Sequence, residues 1–107
     1  MGKFDIGGLF KQAQELQEKI ASAQQALAER SVEGSAGGGM VTVQVSGKLE
    51  VLRVGIDATL LATPDREMLQ DLVVAAVNDG MRRAQAMVAD EMNKLTGGLG
   101  IKLPGMG

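Results

Sequence analysis

The 107-residue chain has no cysteine, histidine, tryptophan or tyrosine, and its aromatic residues are Phe4 and Phe10. Without Cys and His it lacks thiol nucleophiles, disulfides, imidazole acid–base groups and the two commonest ligands of transition metals. The core must therefore be aliphatic. We expect no catalytic, cofactor or metal site, and hence a protein that is not an enzyme and has no small-molecule substrate.

The chain also lacks a long apolar run. The longest purely apolar stretch, Leu72 to Val77, is far shorter than the roughly 20 residues that span a bilayer. The N-terminus has an acid where a secretory signal needs apolar residues, and Ile6 where a myristoylation signal needs Ser or Thr. We therefore expect a cytoplasmic protein without membrane contact.

A strong excess of one charge is missing as well. Eleven basic and 13 acidic residues leave a formal charge of −2, which argues mildly against attraction to nucleic acid by bulk charge. Phosphate contacts are local, however, because charges are screened over roughly 8 Å in physiological salt. The arrangement of Lys and Arg therefore decides more than their sum.

The N-terminal third has the pattern of a long amphipathic helix, which we predict over about residues 7–30. Its apolar positions alternate in steps of four and three, as in the seam of a coiled coil. These positions are Leu9, Ala13, Leu16, Ile20, Ala23 and Leu27. A helix of this length needs a partner along its apolar seam.

A small antiparallel sheet is predicted over about residues 31–57. After a glycine-rich break, valines alternate with polar residues over 41–46, and a second alternating run covers 50–56. Gly47 and Lys48 suit a two-residue type II′ turn, which would pair Val43 with Leu52 and Val41 with Val54. A short strand at 31–34, with Val32 pointing inward, would add an edge.

A second long helix is predicted over about residues 64–95. Thr63 is the predicted N-cap and Pro64 the first helical residue. Gly80 lies on the apolar face, where it costs about 1 kcal/mol against Ala, so a close approach of the helix to its neighbour would explain it. Residues 96–107 are glycine-rich and are predicted to form a flexible tail.

These elements form one α+β domain over residues 1–107, in the order α-β-β-β-α. Two long helices flank a sheet of two to three strands, and so small a sheet cannot bury its own apolar face. We therefore expect two copies to join their sheets as a homodimer.

From about Leu9 to Leu95 the sequence resembles the YbaB/EbfC family of nucleoid-associated DNA-binding proteins. The similar segments are residues 9–14, 17–19, 54–57, 60–61, 67–69, 71–73, 75–76 and 78–79. Val77 and Gly80 depart from residues common in the family. The resemblance implies a tweezer-shaped homodimer in the nucleoid, whose helical arms bind duplex DNA with little sequence preference.

Six cations are the candidate DNA contacts under this resemblance. They are Lys3, Lys11, Arg82, Arg83, Lys94 and Lys102. Antiparallel helices would bring Lys11 and Lys94 together at the free end of the arm. The alternatives are that these residues are ordinary solvated charges, and that the protein is a coiled-coil-like interaction adaptor that does not bind nucleic acid.

Three other features have structural explanations. Gly37, Gly38 and Gly39 lack the lysine and the following helix of a phosphate-binding loop, which predicts a flexible loop. Asp57 and Asp79 have no histidine in their company and are expected to have structural roles. The methionines 81, 87 and 92 follow helical spacing and are expected to pack at an interface.

Overall fold

The computed structural model describes residues 6–62 and 65–98. Its elements are α1 (Ile6–Ala28), β1 (Ser31–Ala36), β2 (Val41–Ser46), β3 (Val51–Ile56), α2 (Ala58–Ala62) and α3 (Arg66–Gly98). The three strands form one antiparallel sheet in the order β1-β2-β3. The predicted α+β class, with a three-stranded sheet between two long helices, is therefore confirmed.

One face of the sheet is apolar in all three strands. On β2 it consists of Val41, Val43 and Val45, which are buried. In the observed register Gly34 and Val54 flank Val43 on either side. The opposite face is polar, with Glu33, Gln44 and Arg53 in one row. The alternation predicted from the sequence thus sorts the side chains onto the correct faces.

The predicted register of the β2–β3 hairpin was wrong by two residues. Val43 pairs with Val54, not Leu52, and Val41 pairs with Ile56, not Val54. The turn has three residues instead of two: Leu49 N–H donates to Ser46 O at 2.8 Å, and Leu49 has a positive φ of 63°. A shift of two residues preserves the faces, because side chains alternate with a period of two.

Two further features complete this hairpin. The ladder has an irregularity beside Gln44 and Val45, where Val45 pairs with Val51 and Leu52 is left as the extra residue. At the turn, the buried Ser46 hydroxyl accepts hydrogen bonds from the N–H groups of Lys48 and Glu50, at 3.2 and 3.4 Å. The Ser46 side chain thereby satisfies backbone groups that a tight turn leaves open.

Helix α3 packs mainly across β1 and β2. A Cβ atom on Gly80 would lie 2.8 Å from the Cγ2 atoms of both Val43 and Val45, and one on Gly34 would lie 2.7 Å from Ala76 O. These separations leave no room for a methyl group. Close approach of the helix to the sheet, predicted from Gly80, is therefore confirmed, and Gly34 is its counterpart on β1.

The connection between β3 and α3 contains a helix that was not predicted. Asp57 begins α2: its Oδ1 accepts hydrogen bonds from Thr59 N and Thr59 Oγ1, at 2.9 and 2.7 Å. These bonds lower the pKa of the Asp57 carboxyl. Leu60 on α2 is buried in the core. A helix of five residues is too short to show a periodicity in the sequence.

Helix α3 begins and ends later than predicted. Thr63 and Pro64 lie outside the described residues. The observed capping side chain is that of Asp65, whose Oδ1 accepts a hydrogen bond from Met68 N at 3.1 Å. At the other end the helix continues to Gly98, and Thr96 Oγ1 donates to the carbonyls of Met92 and Asn93. The first three residues of the predicted tail, 96–98, therefore belong to α3.

Candidate nucleic-acid interface

Helix α1 is fixed to the rest of the protein at its C-terminal end. Leu27 is 3% exposed, and a Cβ atom on Gly47 would overlap the Leu27 carbonyl. Gly47 N–H also donates to Arg30 O at 3.1 Å. Arg30 Nη1 in turn lies 3.1 Å from Glu91 Oε1 of α3. The end of α1 is thus held against both the β2–β3 turn and α3.

Burial decreases along the apolar seam of α1 towards its N-terminal end. Leu16, Ile20 and Ala23 are half-buried, whereas Leu9 and Phe10 are exposed, the latter by 66%. The seam predicted from the sequence therefore has a covered C-terminal part and an open N-terminal part. We call residues 9–19 of α1 the free arm.

The free arm carries two cations, Lys11 and Lys19. Both side chains are exposed, and within residues 6–62 and 65–98 neither forms an ion pair. They lie about 80° apart around the helix, because eight residues make about 2.2 turns. Lys11 was among the predicted contacts. Lys19 was not among them, although it is also an exposed cation of the predicted first helix.

Arg82 and Arg83 lie midway along α3 and share one carboxylate. Asp79 Oδ2 accepts a hydrogen bond from Arg83 Nε at 3.1 Å, and Asp79 Oδ1 lies 3.9 Å from Arg82 Nη2. Asp79 Oδ2 also accepts a hydrogen bond from Ser35 N–H of β1 at 2.9 Å. That bond, followed by the one from Arg83, lowers the pKa of the Asp79 carboxyl. The structural roles expected for Asp79 and Asp57 are confirmed.

Lys94, near the end of α3, is also paired with acids. Its Nζ lies 3.2 Å from Asp90 Oδ2 and 3.6 Å from Glu91 Oε1. The hydrogen bond to Asp90, together with the negative charges of Asp90 and Glu91, raises the pKa of the ammonium group. The same Glu91 oxygen contacts Arg30. Lys94 therefore belongs to a charge cluster at the fixed end of α1.

The prediction that Lys11 and Lys94 meet at an arm tip was wrong for one protomer. Lys94 shares Glu91 with Arg30, which follows the C-terminal end of α1. Between Lys11 and Ala28 the helix rises about 26 Å, at about 1.5 Å per residue. The free arm thus extends away from the cluster that contains Lys94. Lys3 and Lys102 lie outside the described residues.

Strand β3 presents an exposed apolar surface at the edge of the sheet. Val54 is 44% exposed although it lies beside the buried Val43, and Ile56 and Val51 are similarly open. Leu52, at the irregularity, is 58% exposed. We call residues 51–56 the β3 edge. An apolar edge strand of this kind readily pairs with another chain.

The sequence also matches a known protein family. A sequence model of the YbaB/EbfC DNA-binding family matches residues 1–99. The chain belongs to this family. It is 54% identical to a nucleoid-associated protein of Syntrophobacter fumaroxidans, over 90% of each chain. It is 50% identical to the nucleoid-associated protein DP1429 of Desulfotalea psychrophila, over 91% of this chain and 92% of that protein.

The fold is also found in a solved structure. The uncharacterized protein HP0035 from Helicobacter pylori superposes with a TM-score of 0.75, over 87% of this chain and 98% of its own, at 22% sequence identity. This likeness concerns the fold. The resemblance noted from the sequence is confirmed by the family match, which makes this a nucleoid-associated, DNA-binding family member. Residues 6–62 and 65–98 contain no helix long and apolar enough to cross a membrane.

Proposed function

We propose that the protein binds duplex DNA as a homodimer, with little sequence preference, through its helical arms. Its place is the nucleoid, within the cytoplasm. The observation that carries the proposal is the β3 edge, an apolar strand left open in a protein of a DNA-binding family. Dimerisation determines how many arms face the DNA.

A second copy of the chain is the partner that suits the β3 edge. Val51, Val54 and Ile56 belong to the same apolar face as the buried valines of β2, but α3 packs mainly on β1 and β2. Pairing of two β3 strands across a twofold axis would satisfy their free backbone groups and extend both sheets into one. The apolar faces of the two copies would then form a continuous core.

The cations of the arms supply the DNA contacts in this proposal. Lys11 and Lys19 are exposed and carry no ion pair within the described residues, although Glu15 lies four residues from each of them on the same helix. Lysine binds phosphate as a point charge and does not by itself read base edges. Contacts of this kind are insensitive to sequence. Arg82, Arg83 and Lys94 lie on α3 as further contacts, and Lys3 and Lys102 stay in the proposed set.

A protein-interaction adaptor is the second candidate. The open part of the α1 seam at Leu9, with the exposed Phe10 beside the seam, would suit a partner helix. The two functions differ in their response to salt, because only phosphate binding releases counterions from DNA. An adaptor that lacks nucleic-acid affinity would give no shift of duplex DNA at any salt concentration.

The deciding experiment is a mobility shift of long duplex DNA at several salt concentrations. The four free-arm lysines of a dimer, each releasing about 0.9 counterions, should contribute about −3.6 to the slope of log affinity against log salt. The double variant Lys11→Gln, Lys19→Gln should bind at least tenfold more weakly at low salt and flatten the slope. Its melting temperature should be nearly that of the wild type, because these side chains are exposed.

A matched control removes the same charge elsewhere. Lys48 and Arg66 are exposed, lie outside the free arm, and form no ion pair in the part of the chain that the structure describes. Lys48→Gln with Arg66→Gln should therefore leave most of the affinity intact. If both double variants weaken binding equally, net charge and not the free arm governs the affinity. Absence of any shift for the wild type would reject DNA binding.

A further inference from the structure

The cations of the two long helices differ in their surroundings. On the free arm, Lys11 and Lys19 have no carboxylate within ion-pair distance among the described residues. On α3, Arg82, Arg83 and Lys94 all lie against acids of the same helix, three or four residues away. Exposure does not account for this difference, because the α3 side chains are 61–70% exposed.

The Lys94 cluster is the clearest case. Asp90 is 66% exposed, and its single ion pair among the described residues is the 3.2 Å contact with Lys94. Glu91, by contrast, also holds Arg30 and thereby ties α3 to the end of α1. Asp79 is likewise bonded to β1 through Ser35. The ion pair of Asp90 therefore lies within α3. Unlike the bonds of Glu91 and Asp79, it does not connect two elements of the fold.

We infer that Asp90 limits the affinity of the protein for polyanions by occupying the ammonium group of Lys94. The inference rests on the proposed DNA-binding function and assigns a negative role within it. A phosphate oxygen that approaches Lys94 must replace the Asp90 carboxylate and is repelled by it at short range. Lys94 is thus a suppressed contact in the wild-type protein. Removal of Asp90 would leave its ammonium group, among the described residues, with the longer 3.6 Å contact to Glu91 Oε1, an oxygen that Arg30 also holds.

The lysines of α3 and of the free arm differ in what a phosphate group displaces. The ammonium groups of Lys11 and Lys19 exchange water for phosphate, whereas that of Lys94 exchanges one anion for another, which brings little gain. Binding by this protein is therefore carried first by α1. Helix α3 has the larger number of described cations but contributes less than their number suggests, since its own acids pair with three of the four, Arg66 being the exception.

The test is the variant Asp90→Asn, with Asp71→Asn as its matched control. Asp71 is exposed on the same helix and forms no ion pair among residues 6–62 and 65–98, so both variants remove one equal charge from α3. Binding of duplex DNA is measured by fluorescence anisotropy across a salt series. An exposed ion pair contributes little free energy, and a dimer would lose one such pair per protomer. We therefore expect about fivefold tighter binding for Asp90→Asn.

The salt slope gives a second readout. One new phosphate contact per protomer should steepen the slope by about 1.8 in a dimer, because each releases about 0.9 counterions. Asp71→Asn should change the affinity less than twofold and leave the slope unaltered. Adding Lys94→Gln to Asp90→Asn should abolish the gain.

Each outcome has one meaning. Equal gains for Asp90→Asn and Asp71→Asn would overturn the inference, because net charge would then explain them. No gain for Asp90→Asn, or a gain that survives Lys94→Gln, would overturn it as well. In all three cases the wild type still binds DNA and the proposed function stands. If the wild type itself fails to bind, the proposed function falls and the inference falls with it.

Discussion

Strands β2 and β3 are neighbours of equal length and similar apolar content, yet they differ completely in burial. Val41, Val43 and Val45 of β2 are at most 1% exposed, whereas all the large apolar side chains of β3 are at least 40% exposed. Val51, Val54 and Ile56 of β3 share one face of the sheet with these β2 valines. The difference therefore comes from what lies above each strand, and not from the strands themselves.

The position of α3 explains the difference. On the apolar face β1 contributes Val32, Gly34 and Ala36, two of which are small, and Gly80 of α3 approaches Gly34 closely. A helix can settle on such a surface, but the branched side chains of β3 offer no equivalent recess. Helix α3 is thus drawn towards β1 and leaves β3 for another partner. The following predictions test this account.

The largest effect is expected where β2 is disturbed. Val43→Asp places an unpaired charge in the aliphatic core, at a cost of several kcal/mol, and should abolish folding. Circular dichroism and thermal melting would detect the loss. The control is Gln44→Asp, which adds the same charge one residue further along, on the exposed face, and should leave a folded protein. A cooperative melt of Val43→Asp near that of the wild type would contradict the observed packing.

A smaller effect is expected at the corresponding position of β3. In the wild type we expect a dimer by light scattering at micromolar concentration, and a melting temperature that rises with protein concentration. Val54→Asp should weaken association by about 2–5 kcal/mol, because it places an unpaired carboxylate in the apolar interface between the two copies. Gln44→Asp serves again as control and should remain dimeric. A wild-type mass equal to that of a folded monomer would refute the joint at the β3 edge.

The smallest effect concerns the bond that ties α3 to β1. The pKa of Asp79 is lowered in the folded protein, so its ionised form stabilises the fold at pH values above its ordinary pKa of 3.8. This contribution is lost as the pH falls below 3.8 and through the lowered value. The Asp79→Asn variant should therefore have a slightly lower melting temperature than the wild type at pH 7. This difference in melting temperature should vanish in strong acid.

Asp71→Asn is the control for this experiment, since Asp71 is exposed and has no described ion pair. Its melting temperature should follow that of the wild type at both pH values. A difference between Asp79→Asn and the wild type that persists below the folded-state pKa would show that the amide disturbs packing, and that the ionised hydrogen bond is not responsible.

The elements with a periodic pattern were predictable, and those decided by a few atoms were not. Alternating valines identified β2 and the apolar face of the sheet, and the four–three spacing identified α1. The hairpin register failed by one residue at the turn, because Leu49 adopts a left-handed backbone conformation that favours glycine, and by a second residue at Leu52, which is left unpaired. Helix α2 was missed because its five residues, begun by Asp57, carry no periodicity.

The candidate contacts show the same division. Composition and spacing could identify Lys11, Arg82, Arg83 and Lys94 as cations on helices. They could not show that Lys94 lies at the fixed end of α1, away from Lys11, or that Lys94 shares Glu91 with Arg30. Such neighbours come from residues distant in the chain, here Arg30 and Glu91.

The sequence by itself determined the periodic elements, their apolar faces, the need for a close contact at Gly80 and the family. These follow from local conformational preference and from the spacing of side chains along a helix or strand. Only the tertiary structure decided which part of the apolar face is covered and that Arg30 reaches Glu91 of α3, whereas the ion pairs within α3 join residues three or four apart. The covered face depends on where α3 crosses the sheet, and that position results from the joint fit of Gly34, Gly80 and the β2 valines.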